Sequence, residues 1–238
     1  MKLYEDIIQV WRDLLSPFEV KALPVSQPGW PDSGSRNMVL RSDMAFELGG
    51  EGLPALGSTA VCTGGFSEDR ILLCGPDLPD IRRNLPYARL TVASVRDDLP
   101  DQGGALYRAI KKIDFVRYHV NPEGFMTRVS AIQGRESARI SREALVQGLN
   151  FAGVGSRMLE SYHENPQILA VRLIYITDPA FPFDRLDETI RTAKDITAAI
   201  DHAMTVAMTD CSVCSLKKVC DEVEGIRQLH FGREGENP

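Results

Sequence analysis

Between residues 4 and 15 the apolar positions Ile7, Ile8, Trp11, Leu14 and Leu15 recur at three- and four-residue steps. That period predicts an amphipathic helix, and Ser16-Pro17 ends it. Residues 24–34, rich in Pro, Gly and Ser, predict a loop. The pattern then shifts to short apolar stretches at 38–48, 58–63, 70–74 and 88–95. They are separated by Gly49-Gly50-Glu51-Gly52, Gly64-Gly65 and Gly75-Pro76-Asp77, and they predict strands. Helical spacing returns at 105–120 through Leu106, Ile110, Ile113 and Val116, and Asn121-Pro122-Glu123-Gly124 marks a turn. Strands are expected at 125–132 and 138–140. Ser141 then reads as an N-cap, with Glu143 in the first turn of a helix that stops at Gly148. A further helix is expected at 152–163.

Residues 168–177 alternate with both faces apolar except for Arg172, the signature of a central strand. Leu186, Ile190, Ala193, Ile196 and Ile200 give the core stripe of a long helix over 184–208. Strands first, then strands mixed irregularly with helices, predict an α+β fold, a mixed or antiparallel sheet with helices packed on it. The organisation expected is an N-terminal helix and loop (1–37), an α+β domain (38–208) and a cysteine-containing C-terminal segment (209–238).

Composition narrows the function classes. The chain of 238 residues is 43% hydrophobic and 25% charged, which excludes global disorder. No apolar run reaches the roughly 18–20 residues of a membrane helix, and Glu5-Asp6 near the start do not suit a signal peptide, so a soluble cytoplasmic protein is expected. The net charge is −6, but residues 82–172 hold fourteen basic against nine acidic groups. Arg outnumbers Lys by 20 to 7, and the guanidinium fork suits phosphate and carboxylate. A basic middle in an acidic chain points to a phosphorylated small molecule rather than nucleic acid. Arg135, Arg139 and Arg142, at a strand-to-helix junction, form the best candidate anion site.

The sharpest chemistry lies near the end. In Cys211-Ser-Val-Cys214 followed by Cys220, the spacing lets thiolates converge on one metal centre, and Lys217 and Lys218 would offset their charge. A reducing compartment disfavours disulfides. A fourth ligand must come from elsewhere: Cys62 is preferred, with Cys74 or His230 as alternatives, and His230 would give a Cys3His set suited to zinc. The four histidines stand apart and no Gly-x-Ser-x-Gly elbow is present, so no hydrolytic triad is expected. A nuclease closed by an iron–sulfur staple would need clustered acids and a lysine at strand ends, which the middle of the sequence does not supply.

Asp43-Met-Ala-Phe-Glu-Leu-Gly-Gly50, then Arg139-Ile-Ser-Arg-Glu-Ala-Leu-Val-Gln-Gly148 with Val154-Gly155, then the alternating strand before Asp178, follow in that order. Over roughly residues 38–220 this resembles the central part of acetyl-CoA synthase, the β subunit of the CO dehydrogenase/acetyl-CoA synthase complex. The resemblance implies coenzyme A phosphates on Arg139 and Arg142. It also implies a [4Fe–4S] cluster whose first cysteine pair is Cys211 and Cys214. The family's later cysteines are more widely spaced, and its nickel site uses a downstream Cys-Gly-Cys. Here Cys220 follows after five residues, no Cys-Gly-Cys occurs and the sequence ends at Pro238, so the nickel-site domain is expected to be missing. The expectation is therefore an accessory rather than catalytic protein of anaerobic one-carbon metabolism. It would bind a [4Fe–4S] cluster, with CO dehydrogenase/acetyl-CoA synthase components or a corrinoid protein as partners. A zinc-stabilised structural or binding module without a redox role is the alternative.

Overall fold

The computed structural model describes residues 3–96, 104–130, 135–205 and 216–222. Its centre is a mixed sheet of eight strands: β1 (Val20–Leu23), β2 (Met44–Leu48), β3 (Ala55–Thr63), β4 (Arg70–Cys74), β5 (Tyr87–Val95), β6 (Phe125–Ser130), β7 (Arg135–Ser141) and β8 (Ile168–Ile176). Their order is β1-β4-β8-β5-β3-β7-β2, with β6 paired to β7. The pairs β3–β5 and β4–β8 are parallel and the others antiparallel. Six helices complete the fold: α1 (Glu5–Leu15), α2 (Gly104–His119), α3 (Arg142–Val146), α4 (Phe151–His163), α5 (Phe183–Thr205) and α6 (Lys217–Glu222). This is the α+β architecture read from the sequence, and no helix among the described residues is long and apolar enough to cross a membrane.

Local signals explain most boundaries. In α1 the stripe of Ile7, Ile8, Trp11, Leu14 and Leu15 is buried. Ser141 Oγ accepts from the Ala144 amide at 3.1 Å and caps α3. Gly148 then supplies the positive φ (+101°) that ends it. Asn150 Oδ1 accepts from the Gly153 amide at 2.9 Å and caps α4. The expected strand over 38–48 is shorter than its apolar pattern. Only Met44–Leu48 pairs, because the Asp43 and Met44 amides turn back to the Leu40 carbonyl at 3.1 and 2.9 Å. The polar run Arg41-Ser42-Asp43 makes that turn. β1 is missing from the sequence reading; it is a half-exposed four-residue edge strand, too short to show alternation. In the expected helix over 184–208, residues 206–208 lie outside the described residues, as do 131 and 132 of the expected strand over 125–132.

β8 sits between β4 and β5, and its apolar faces are covered on both sides. On one face α4 packs across β4 and β8, with Gly155 against Ile71 and the Tyr175 hydroxyl donating to Met158 Sδ at 3.3 Å. On the other face lies α1, packed against α5. The Trp11 indole donates to Thr189 Oγ1 at 2.9 Å, and the Tyr4 hydroxyl meets Thr197 Oγ1 at 2.9 Å, so the two helices run antiparallel. α2 touches α4, α5 and β3, and so closes the side of the molecule where β3 lies. Residues of α1 share one buried cluster with the sheet, α4 and α5.

Candidate functional site

Cys62 and Cys74 occupy different surroundings. Because β3 and β5 run opposite to β4 and β8, the pairings set Cys62 level with Ser94 and Ala170, and Cys74 level with Ile176 and Ala88. Cys62 and Cys74 therefore lie at opposite ends of the sheet, and one metal centre cannot use both. Cys74 is fully buried on β4, and burial followed by the Asp178 carboxylate pushes its thiol up to about 11. Cys62 is half-buried near the end of β3, and its thiol donates to the Gly64 carbonyl at 3.5 Å. Burial, then the Glu5 carboxylate, raise it to about 11, while the Arg12 and Arg172 guanidiniums act against that rise.

Arg172 explains the one polar position in the central strand. Register puts it on the same face as Cys62, and its guanidinium stacks over the Phe66 ring at 4.2 Å. Its Nε is buried with no hydrogen-bond partner among the described residues. Burial and repulsion from Arg12 and Arg70 lower its pKa. Beside it, α1 and the sheet enclose an apolar cleft of about 380 Å³ lined by Trp11, Phe18, Leu72 and Val92, with Arg12 and Arg172 as its charged groups. Cys62 is thus a soft donor held as a thiol, because burial and Glu5 outweigh the two guanidiniums, and a metal would have to displace its proton to bind it.

Cys211, Cys214 and His230 lie outside the described residues, and Cys220 falls within α6. Among the described residues no group of three or more His, Cys, Asp or Glu is arranged to hold a metal. The chain direction is informative instead. Glu5, in the first turn of α1, acts on Cys62, and α5 runs antiparallel to α1, so the second half of α5 lies toward the Cys62 end of the sheet. α6 packs on α5, with Leu216 and Val219 against the core.

The three candidate arginines converge on β2 and the turn after it. Arg135 Nη2 donates to the Gly49 and Leu53 carbonyls, both at 2.9 Å. Arg139 Nε lies 3.3 Å from Glu47 Oε2, and Arg128 on β6 meets the other oxygen of that carboxylate at 2.9 Å. Arg142 is exposed, with Nη2 3.4 Å from the Met44 carbonyl. Their visible work is to tie β7 to β2.

Sequence reasoning missed a buried ion pair. Arg89 Nε and Nη2 donate to the two oxygens of Glu136 at 2.6 and 2.8 Å, and both side chains are about 98% buried or more. Arg89 Nη1 also donates to Thr91 Oγ1 at 2.6 Å, and Thr91 meets the Tyr162 hydroxyl at 3.2 Å. Burial opposes the guanidinium charge, but Glu136, together with Tyr162 and Tyr87, more than reverses this and holds Arg89 well above its ordinary pKa. Gly57 makes the pair possible, because a Cβ there would collide with the Glu136 carboxylate. The available signal was an arginine inside the otherwise uncharged strand Tyr87–Val95. No protein-family model matches the chain, and none of the curated proteins matches it.

Proposed function

We propose that this protein is an accessory metal protein resembling the central part of acetyl-CoA synthase, in which Cys62, Cys211, Cys214 and Cys220 hold one [4Fe–4S] cluster. The observation that carries the reading is the course of the chain after β8. It leaves the Cys74 end of the sheet, returns along α5 toward the Cys62 end, and continues into α6, which carries Cys220. The end of α5, after which Cys211, Cys214 and Cys220 follow in sequence, thus lies toward Cys62, a half-buried thiol on which Arg12 and Arg172 act. Cys74, at the far end and fully buried, is the poorer fourth ligand. When bound, such a cluster supplies one-electron chemistry or a clip that fixes the tail to the sheet. The role is electron transfer or docking within anaerobic one-carbon metabolism, alongside CO dehydrogenase/acetyl-CoA synthase components or a corrinoid protein, without forming the carbon–carbon bond.

The experiment is anaerobic purification followed by absorption spectroscopy. The reading predicts brown protein with a broad band near about 400 nm that bleaches on reduction with dithionite. Colourless protein containing zinc would replace the redox reading with a structural one. Colourless protein without metal after reconstitution would end both.

A further inference from the structure

The apolar cleft of about 380 Å³ between α1 and the sheet also carries charge that its own side chains leave unmatched. Trp11 and Leu15 line it from α1, Phe18 from the segment that follows, and Leu72, Val92 and Ile174 from the strands. Register sets Arg172 beside Val92 on β5 and Ile174 beside Leu72 on β4, which places one guanidinium within an apolar surface. Arg12 adds a second from α1, exposed to solvent, and no acidic side chain lines the cleft among the described residues. Neither guanidinium has an ion pair or a hydrogen bond among those residues. Arg172 stacks on the Phe66 ring at 4.2 Å, which leaves the edge donors of its fork open. The nearby acids are engaged elsewhere: Asp13 accepts from Gln9 Nε2 at 2.8 Å, Glu5 from the Tyr4 amide at 3.1 Å, and Glu68 lies 3.8 Å from Arg70. Arg172 Nε is buried without an acceptor, a rare and costly state that a bound ligand relieves. Burial, then repulsion from Arg12 and Arg70, lowers the Arg172 pKa with only the Cys62 thiol acting against the fall, so positive charge is in excess here.

We propose that this cleft binds a small-molecule monocarboxylate with an apolar body, of the kind a medium-chain fatty acid represents. The hydrocarbon packs on Trp11, Leu72 and Ile174, and Arg172 and Arg12 take the carboxylate. A carboxylate fits because its two oxygens accept from guanidinium forks, and its charge relieves the repulsion between the two arginines. A cation on the same hydrocarbon would add to that repulsion, and a neutral alcohol would leave it in place. The volume falls within the roughly 300–1,000 Å³ of pockets that enclose small ligands, and a mostly apolar lining with few polar groups is their usual make-up. Cys62 is not among the lining residues, so this site is separate from the proposed metal centre. Iron content and carboxylate binding therefore report on the two independently.

Titration calorimetry of the full chain with butyrate, hexanoate and octanoate tests this. One saturable site per chain is expected for octanoate, with affinity rising about 4-fold for each added methylene. Octylammonium and octanol, which carry the same hydrocarbon, should bind at least about 10-fold more weakly. Arg172→Met keeps an apolar stem and should weaken octanoate binding at least about 10-fold. Arg12→Ala should weaken it at least about 3-fold, and because it alters only an exposed side chain it decides the matter if Arg172→Met does not fold. Arg185→Ala, an equal charge loss at an exposed position of α5, should leave affinity unchanged. The proposal is overturned if octanoate does not saturate, if affinity does not rise with chain length, or if octylammonium binds as tightly as octanoate. It is equally overturned if Arg12→Ala binds octanoate as tightly as the wild type, or if Arg185→Ala weakens binding as much as Arg12→Ala does.

Discussion

The most consequential single contact is the bidentate pair of Arg89 and Glu136, closed off from solvent beneath α2 and α4. Two charges taken out of water are tolerated only while each faces the other, so removing one leaves the other uncompensated. Glu136→Gln is expected to cost about 3–5 kcal/mol of stability, read as a lowered urea midpoint. Replacing both residues by leucine should recover most of that loss, because it is the orphaned charge and not the absence of the pair that destabilises. A midpoint for Glu136→Gln within about 1 kcal/mol of wild type would show the pair to be solvated. Little of this was legible in the sequence. Arg89 was visible as a charge in an uncharged strand, but its partner lies 47 positions away, and the space for it depends on Gly57 having no side chain. The arginines that the sequence did single out, Arg135, Arg139 and Arg142, share a neighbourhood as expected, yet their nearest partners are Glu47 and backbone carbonyls of the β2 region.

Among the elements, those with a strong period or an explicit cap were the most readable. α1 and α5 showed their buried stripes, β4 and β8 their apolar runs, and Ser141 and Asn150 stand as side-chain caps of α3 and α4. Asn150→Ala removes the acceptor for the Gly153 amide in α4, a helix that packs on the central strands. A loss of about 1 kcal/mol is expected, seen as a lower thermal midpoint with unchanged far-ultraviolet circular dichroism. An unchanged midpoint would mean that packing alone sets the start of the helix. What escaped the sequence was pairing: which strands neighbour one another, and that β3 and β4 run in opposite directions. That orientation is decided by contacts across the sheet, and it separates Cys62 from Cys74, between which the chain offered only a preference for Cys62.

Across the whole molecule, buried acidic protons set the alkaline limit. Burial raises the thiols of Cys62 and Cys74 to about 11 and lifts Tyr4, Tyr87, Tyr162 and Tyr175 above the ordinary tyrosine range. In the unfolded chain these groups lose their protons earlier, near pH 8.5 for cysteine and about 10 for tyrosine. Their contribution is therefore complete below about pH 8.5 and lost as pH rises through the folded values, so the metal-free protein should show a flat urea midpoint from about pH 7 to 8 and a steep fall between about 9 and 11. A midpoint constant to pH 11 would contradict the burial of these groups. The central claim, that the cysteine tail is drawn to the Cys62 end of the sheet around one metal centre, is tested most directly by iron per chain after anaerobic reconstitution of wild type, Cys62→Ser and Cys74→Ser. The account predicts about four irons in the wild type and in Cys74→Ser, with the iron lost from Cys62→Ser. Iron retained by Cys62→Ser but lost from Cys74→Ser, or no iron in any of the three, would contradict it.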